Sequence, residues 1–88
     1  MKDKELERSL KALASRRRLS IVRFVKNKKE ATVGEIADNI KLSFKSTSRH
    51  LNVLFAANIL EKEQRSLRVF YRLSGDLPDP VRRIILFL

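Results

Sequence analysis

The 88-residue chain has no cysteine and no tryptophan, one histidine, two glycines and two prolines. Without cysteine there is no disulfide to reinforce a small core and no thiolate metal site. A chain this short buries only a modest fraction of its surface. An apolar surface shared between two copies is one remaining source of stability. No uninterrupted apolar run approaches the roughly 18 residues of a membrane-spanning helix. The opening Met1-Lys2-Asp3-Lys4-Glu5 leads into no signal-peptide apolar core, which predicts a cytoplasmic protein with no membrane partner. Acidic residues are scarce beside basic ones, ten Asp and Glu against 20 Lys and Arg, for a net charge of +10. That excess goes beyond what solubility needs and points to polyanions, nucleic acid above all. Catalytic machinery is missing too: no His–carboxylate pair, no Gly-rich phosphate loop and no metal-ligand spacing. Serines without a base are not nucleophiles, so no catalytic residue and no enzyme is expected.

What is present is a globular composition, 43% hydrophobic and 34% charged. It reads as one domain over residues 1–88, without repeat, linker or low-complexity stretch. Asp3 is placed to cap a first helix running to about Ala14, with Leu6, Leu10 and Leu13 on one stripe. Ser15 caps a second helix carrying Leu19, Val22, Phe24 and Val25. Its cationic end at Asn27-Lys28-Lys29 suits the helix dipole. Thr32 and Glu35 have capping-box spacing and open a short helix with Val33, Ile36, Ala37 and Ile40 as its buried side. Lys41-Leu42 turns the chain, and Ser43 caps a helix to about Ala57 that Asn58 ends in a left-handed conformation. From Ile59 the hydrophobic period changes from about 3.6 residues to about 2. Leu60-Glu61-Lys62-Glu63 and Leu67 to Leu73 then read as a hairpin around Gln64-Arg65-Ser66. Asp79 as cap and Pro80 at the first helical position start a last helix with Val81, Ile84, Ile85 and Leu88 on one side. The order α-α-α-α-β-β-α predicts a mainly α fold with a small β-hairpin, a winged helix-turn-helix.

In such a module the second helix of the pair enters the major groove, with its N-terminal end toward the bases. Thr47, Leu51, Leu54 and Phe55, with Phe44 at the foot, are expected to face inward. This leaves Lys45, Ser46, Ser48, Arg49 and Asn52 outward, His50 at the edge and Ser43 at the cap. Short donors and acceptors mixed with cations suit base edges and phosphates. No acidic residue occurs from Lys41 to Leu60, where phosphate would repel it. The hairpin adds Lys62, Arg65, Arg68 and Arg72, of which Arg65 and Arg68 near the tip could reach phosphates or a minor groove. Arg16-Arg17-Arg18 opens the second helix against its dipole. Either a phosphate held there, with Arg16 as a contact, offsets that repulsion, or one of these arginines is structural. Leu6, Leu10, Leu13, Val81, Ile84, Ile85 and Leu88 exceed what a small core can cover. Residues 1–14 and 79–88 are therefore expected to be dimerisation helices.

Ser46-Thr47-Ser48-Arg49-His50-Leu51-Asn52-Val53-Leu54 resembles the recognition-helix signature of the ArsR-type winged-helix repressors. Leu13 through Val22 resembles that family's second-helix start, Val33-Gly34-Glu35-Ile36-Ala37 its third helix, and Val69-Phe70-Tyr71-Arg72-Leu73 its returning wing strand. The resemblance covers nearly the whole chain. It implies a homodimer built from the first and last helices, bound to a palindromic double-stranded DNA operator, with repression relieved by a signal. The chain departs from the family at the wing tip, where Gln64-Arg65-Ser66-Leu67 must turn without glycine. The family's paired metal-sensing cysteines correspond to Thr32 and Gly34. The last helix beyond Asp79 offers Val, Arg, Ile, Leu and Phe in place of His and carboxylates. A cysteine-free variant without metal, cofactor or thiol sensing is expected, leaving the dimer interface for any small-molecule or protein effector.

Two other readings compete with a sequence-specific regulator. One is a winged-helix module that binds protein or RNA. RNA recognition favours exposed aromatics, whereas most of the five Phe and one Tyr fall at apolar positions. The other is an architectural protein, which would bind DNA tightly, blind to sequence, and bend it.

Overall fold

Capping chemistry sets most of the element boundaries. The structure, a computed structural model, describes residues 1–88 as α1 (Asp3–Leu13), α2 (Arg16–Lys28), β1 (Ala31–Thr32), α3 (Val33–Ile40), α4 (Phe44–Ala56), β2 (Leu60–Arg65), β3 (Arg68–Leu73) and α5 (Asp79–Leu86). Ser15 accepts from the Arg18 backbone N–H at 3.3 Å, so α2 starts where a side chain satisfies a free donor. At α3 the capping box is complete: the Thr32 hydroxyl accepts from the Glu35 N–H at 3.2 Å, and Glu35 Oε1 accepts from the Thr32 N–H at 2.8 Å. Lys41, at φ 55°, turns the chain out of α3. Ser43 then caps α4 by accepting from the Ser46 N–H at 3.1 Å. Asn58, at φ 60°, ends α4, and the Ile59 N–H returns to the Leu54 carbonyl at 3.0 Å.

Two expected caps differ. Asp3 is the first residue of α1 rather than its cap; Lys2 holds that position with no side-chain bond. Asp79 is likewise the first residue of α5, after Pro78, and binds Arg82 at 2.6 Å instead of a backbone N–H. Both carboxylates still lie in a first turn, where the dipole favours them.

The sheet order is β1-β3-β2, all antiparallel. β2 and β3 pair from Leu60↔Leu73 to Arg65↔Arg68, which leaves Ser66 and Leu67 as a two-residue turn. Ser66 takes φ 56° and Leu67 does not, the pattern of a II′ turn, so serine accepts a position that usually falls to glycine. β1, which pairs Ala31 with Tyr71 and Thr32 with Phe70, was not expected; two residues are too few to show an alternating pattern.

The core lies where α2, α3 and α4 meet the sheet. Ile21, Val22, Val25, Ile36, Leu51 and Leu54 are fully buried there with Ile59, Leu60 and Tyr71. Each such side chain contributes about 1.5–3 kcal/mol through removal from water. Leu13, Val81 and Ile85 join this core, at 5%, 1% and 2% exposure. They are therefore not free for a partner, contrary to expectation. Phe44 and Phe55 were expected inside and are 64% and 40% exposed. A helical Cβ tilts toward the helix N-terminus, so Phe44, at the first position of α4, projects past the last packed layer. Phe55 lies one step round the helix from Leu54, outside the buried stripe of Thr47, Leu51 and Leu54, and meets Lys62, whose ammonium sits 4.5 Å from the ring centre. The architecture is a winged helix-turn-helix of five helices and a small antiparallel sheet. No helix is long and apolar enough to cross a membrane.

Candidate nucleic-acid interface

Helix α4 is held by one face and offers the other. Thr47, Leu51 and Leu54 recur at a spacing of four and three residues and fix the helix against α2 and α3. On the outer side Lys45, Arg49 and Asn52 are exposed, and Ser46 and Ser48 are half-buried beside them. Ser43 is exposed, but its hydroxyl is engaged as the helix cap. Lys45 and Arg49 enter no ion pair. With no carboxylate from Lys41 to Leu60, the face carries positive charge and hydroxyl and amide groups alone. These groups match phosphate oxygens and the donors and acceptors of base edges.

His50 has a structural partner. Arg18 donates through Nε to the Ala12 carbonyl at 2.6 Å and through Nη2 to the Lys11 carbonyl at 3.3 Å, and its Nη1 lies 3.2 Å from His50 Nδ1. Because guanidinium only donates, Nδ1 is the acceptor and the ring proton lies on Nε2. Burial, then the charges of Arg18 and Arg17, hold His50 below its ordinary pKa. Arg18 thus satisfies the Ala12 carbonyl at the C-terminal end of α1, adds a second donor to the Lys11 carbonyl, which already accepts the Ala14 N–H, and ties both to α4. This is a structural use for one member of the arginine trio.

The other two arginines lie elsewhere. Arg16 and Arg17 line a cleft of about 500 Å³ with Ser20, Arg23, Asn27 and Asn39, between α2 and the end of α3, and no carboxylate enters it. Arg23 escaped the sequence reading. Its signal was there, since Arg16, Ser20, Arg23 and Asn27 repeat at helical spacing on one side of α2.

The wing corrects a second expectation. Arg65 donates to both oxygens of Glu30, each at 2.7 Å, and to Glu63 at 2.9 Å. Arg72 donates to Glu61 at 2.7 Å and to Glu63 at 2.9 Å. Arg65 hydrogen bonding holds Glu30 and Glu63 below the usual carboxylate range, and Arg72 does the same for Glu61. Three carboxylates thus neutralise both arginines, and Arg65 is not the free cation it was read to be. The wing cation without an ion pair near the tip is Arg68. Glu30 supplied no signal in sequence, since its contact with Arg65 spans 35 residues.

α1 and α5 pack together and expose apolar side chains. Leu10 is 45% exposed, Ile84 37%, Leu86 63% and Phe87 91%, with Leu6 and Leu88 half-buried. Leu86 and Phe87 were absent from the set expected there.

Comparison with known proteins places this geometry. Residues 15–62 match the family model of bacterial regulatory proteins of the arsR family. No curated protein matches the chain. Among solved structures, reduced HlyU from Vibrio cholerae shares 30% identity at a TM-score of 0.83, over 97% of this chain and 85% of that one. A homodimeric winged helix-turn-helix DNA-binding domain from Mycobacterium bovis shares 27% identity at 0.83, over 96% of this chain and 74% of that one. The transcriptional repressor PagR of Bacillus anthracis shares 25% at 0.81, over 96% and 92%. The chain belongs to the ArsR family of winged-helix DNA-binding transcriptional regulators, which are not enzymes.

Proposed function

We propose that this protein is a sequence-specific repressor that binds a palindromic duplex operator in the cytoplasm as a homodimer. The observation that carries the reading is the outward side of α4, where Lys45, Ser46, Ser48, Arg49 and Asn52 form a face with no carboxylate. In this reading Lys45 and Arg49 meet phosphates and base edges in the major groove, and Arg68 reaches the backbone from the wing. Arg16, with Arg17 and Arg23, contacts a phosphate at the margin of the site. His50 positions α4 through Arg18 instead of reading DNA.

The dimer is supported by the apolar side chains that α1 and α5 expose together, Leu10, Ile84, Leu86 and Phe87. Large apolar side chains left in water on two packed helices seek cover. The Mycobacterium bovis neighbour is a homodimer, and PagR is a repressor. No metal or cofactor takes part.

Selection of bound duplexes from a random pool tests the reading. A palindromic consensus, with half-sites about one DNA turn or 34 Å apart, is the expected result. Binding without enrichment of any sequence would identify an architectural protein. Preference for RNA, or no nucleic-acid binding, would overturn the proposal.

A further inference from the structure

Two large apolar side chains stand in the outer surface away from α1 and α5. Phe44, the first residue of α4, is 64% exposed, and Leu67, in the hairpin turn, is 96% exposed. They line one concavity of about 300 Å³ together with Val33, Val69 and Arg68. Lys45 follows Phe44 in the chain, and neither Lys45 nor Arg68 has a carboxylate partner. Packing gives no reason for a phenylalanine at this position, since most of its ring remains in water. An exposed apolar patch of this kind marks a contact surface. It continues the polar face of α4 on one side and the wing on the other.

We propose that Phe44 reads a thymine, packing its ring on the C5-methyl group at the edge of the major groove, with Leu67 closing the notch over the neighbouring deoxyribose. This rests on α4 lying in the major groove, and it adds the identity of a base. The N-terminal end of such a helix is the end that meets the bases, and Phe44 occupies it. A phenyl ring forms no hydrogen bond to a base edge, so it distinguishes bases only through apolar contact. The thymine methyl is the one apolar group that base edges present in that groove. The strand that separates major from minor groove runs between helix and wing, where the notch lies. Lys45 and Arg68 flank it with the charge that phosphates require. A protein is the competing occupant of an apolar patch. The flanking cations and the absence of carboxylates from Lys41 to Leu60 favour DNA.

The test uses the duplex recovered from the random pool, synthesised with each thymine in turn replaced by deoxyuridine, which removes the methyl group alone. At one thymine in each half-site the wild-type protein should lose about fourfold in affinity, the worth of one buried methyl-sized group. Phe44→Gln should show no loss at that thymine. Leu67→Ser should weaken binding to every duplex alike and keep the thymine-to-uracil ratio. Both side chains are exposed, so circular dichroism should find both variants folded as the wild type. If wild type binds every uracil duplex as well as the parent, or Phe44→Gln keeps the wild-type ratio, the thymine proposal fails while duplex selectivity stands. Should Phe44→Gln leave all duplex affinities unchanged, the patch belongs to a protein partner. Failure to recover any selected duplex would defeat the DNA reading itself, and this proposal with it.

Discussion

Replacing Thr47 by valine should make the protein more stable. Thr47 is fully buried on the inner side of α4, and its hydroxyl has no hydrogen-bond partner. The Ser43 carbonyl, which a helical threonine often uses, accepts from the Thr47 backbone N–H at 2.9 Å. A buried hydroxyl without a partner costs about 1–3 kcal/mol in folded proteins. Valine puts a methyl group in the same volume and removes that penalty, and its helix propensity is close to that of threonine. The expected gain is about 1–2 kcal/mol, and each kcal/mol raises Tm by roughly 4–8 °C in a domain of this size. Thermal unfolding followed by circular dichroism measures it, at one protein concentration because the proposed dimer would make Tm concentration-dependent. Thr47→Ser keeps the hydroxyl and loses the methyl, so it should fall below wild type by about 1 kcal/mol. Duplex affinity should be unchanged in both, since Thr47 offers nothing to the surface. A valine variant less stable than wild type would refute the reasoning and show that the hydroxyl is satisfied.

Three further outcomes follow from the polar contacts. Arg18→Met leaves the Ala12 carbonyl and His50 without this partner, and should cost about 1.5–3 kcal/mol, the range for hydrogen bonds to a charged group; an unchanged urea midpoint would remove Arg18 from its structural role. His50, held below its ordinary 6.5, stabilises the fold above that pH, and this contribution is lost as pH falls through the lowered folded value. His50→Asn should flatten the fall in urea midpoint between about pH 7 and 5, and a flat wild-type profile there would contradict the burial of His50 beside Arg18. Glu30, Glu35, Glu61 and Glu63 are held below 4.5, so their contributions are lost only at lower pH. In DNA binding, Arg68→Ala should reduce the log–log salt slope by about 0.9 per phosphate lost. Arg65→Ala should leave that slope unchanged, because Glu30 and Glu63 already neutralise Arg65; equal effects would disprove the division.

The elements readable in sequence were those with local causes. Ser15, Thr32, Glu35, Ser43 and Asn58 act on backbone within a few residues, and all five sit where the sequence placed them. The helix-turn-helix and hairpin followed from periodicity. What escaped depends on contacts distant in sequence: β1 against β3, Glu30 against Arg65, and Arg18 against His50. Of the two wing arginines read as free cations, Arg65 is paired, with Glu30 across 35 residues and with Glu63 two residues away in its own strand, while Arg68 remains unpaired. Leu13, Val81 and Ile85 look identical in sequence to Leu10 and Ile84, and only the packing of α1 and α5 onto the core separates the two sets. Phe44 sits on the apolar side of α4 by spacing, and only the position of the helix end in the fold exposes it.

The central claim, that the outer side of α4 reads a duplex, is tested most directly by Arg49→Ala on two duplexes at one salt concentration. These are the selected site and a scrambled duplex of equal length and composition. If Arg49 reads a base, the variant should lose about 1–3 kcal/mol on the selected site and far less on the scrambled one. Undiminished affinity for the selected site, or the same loss on both, would contradict it.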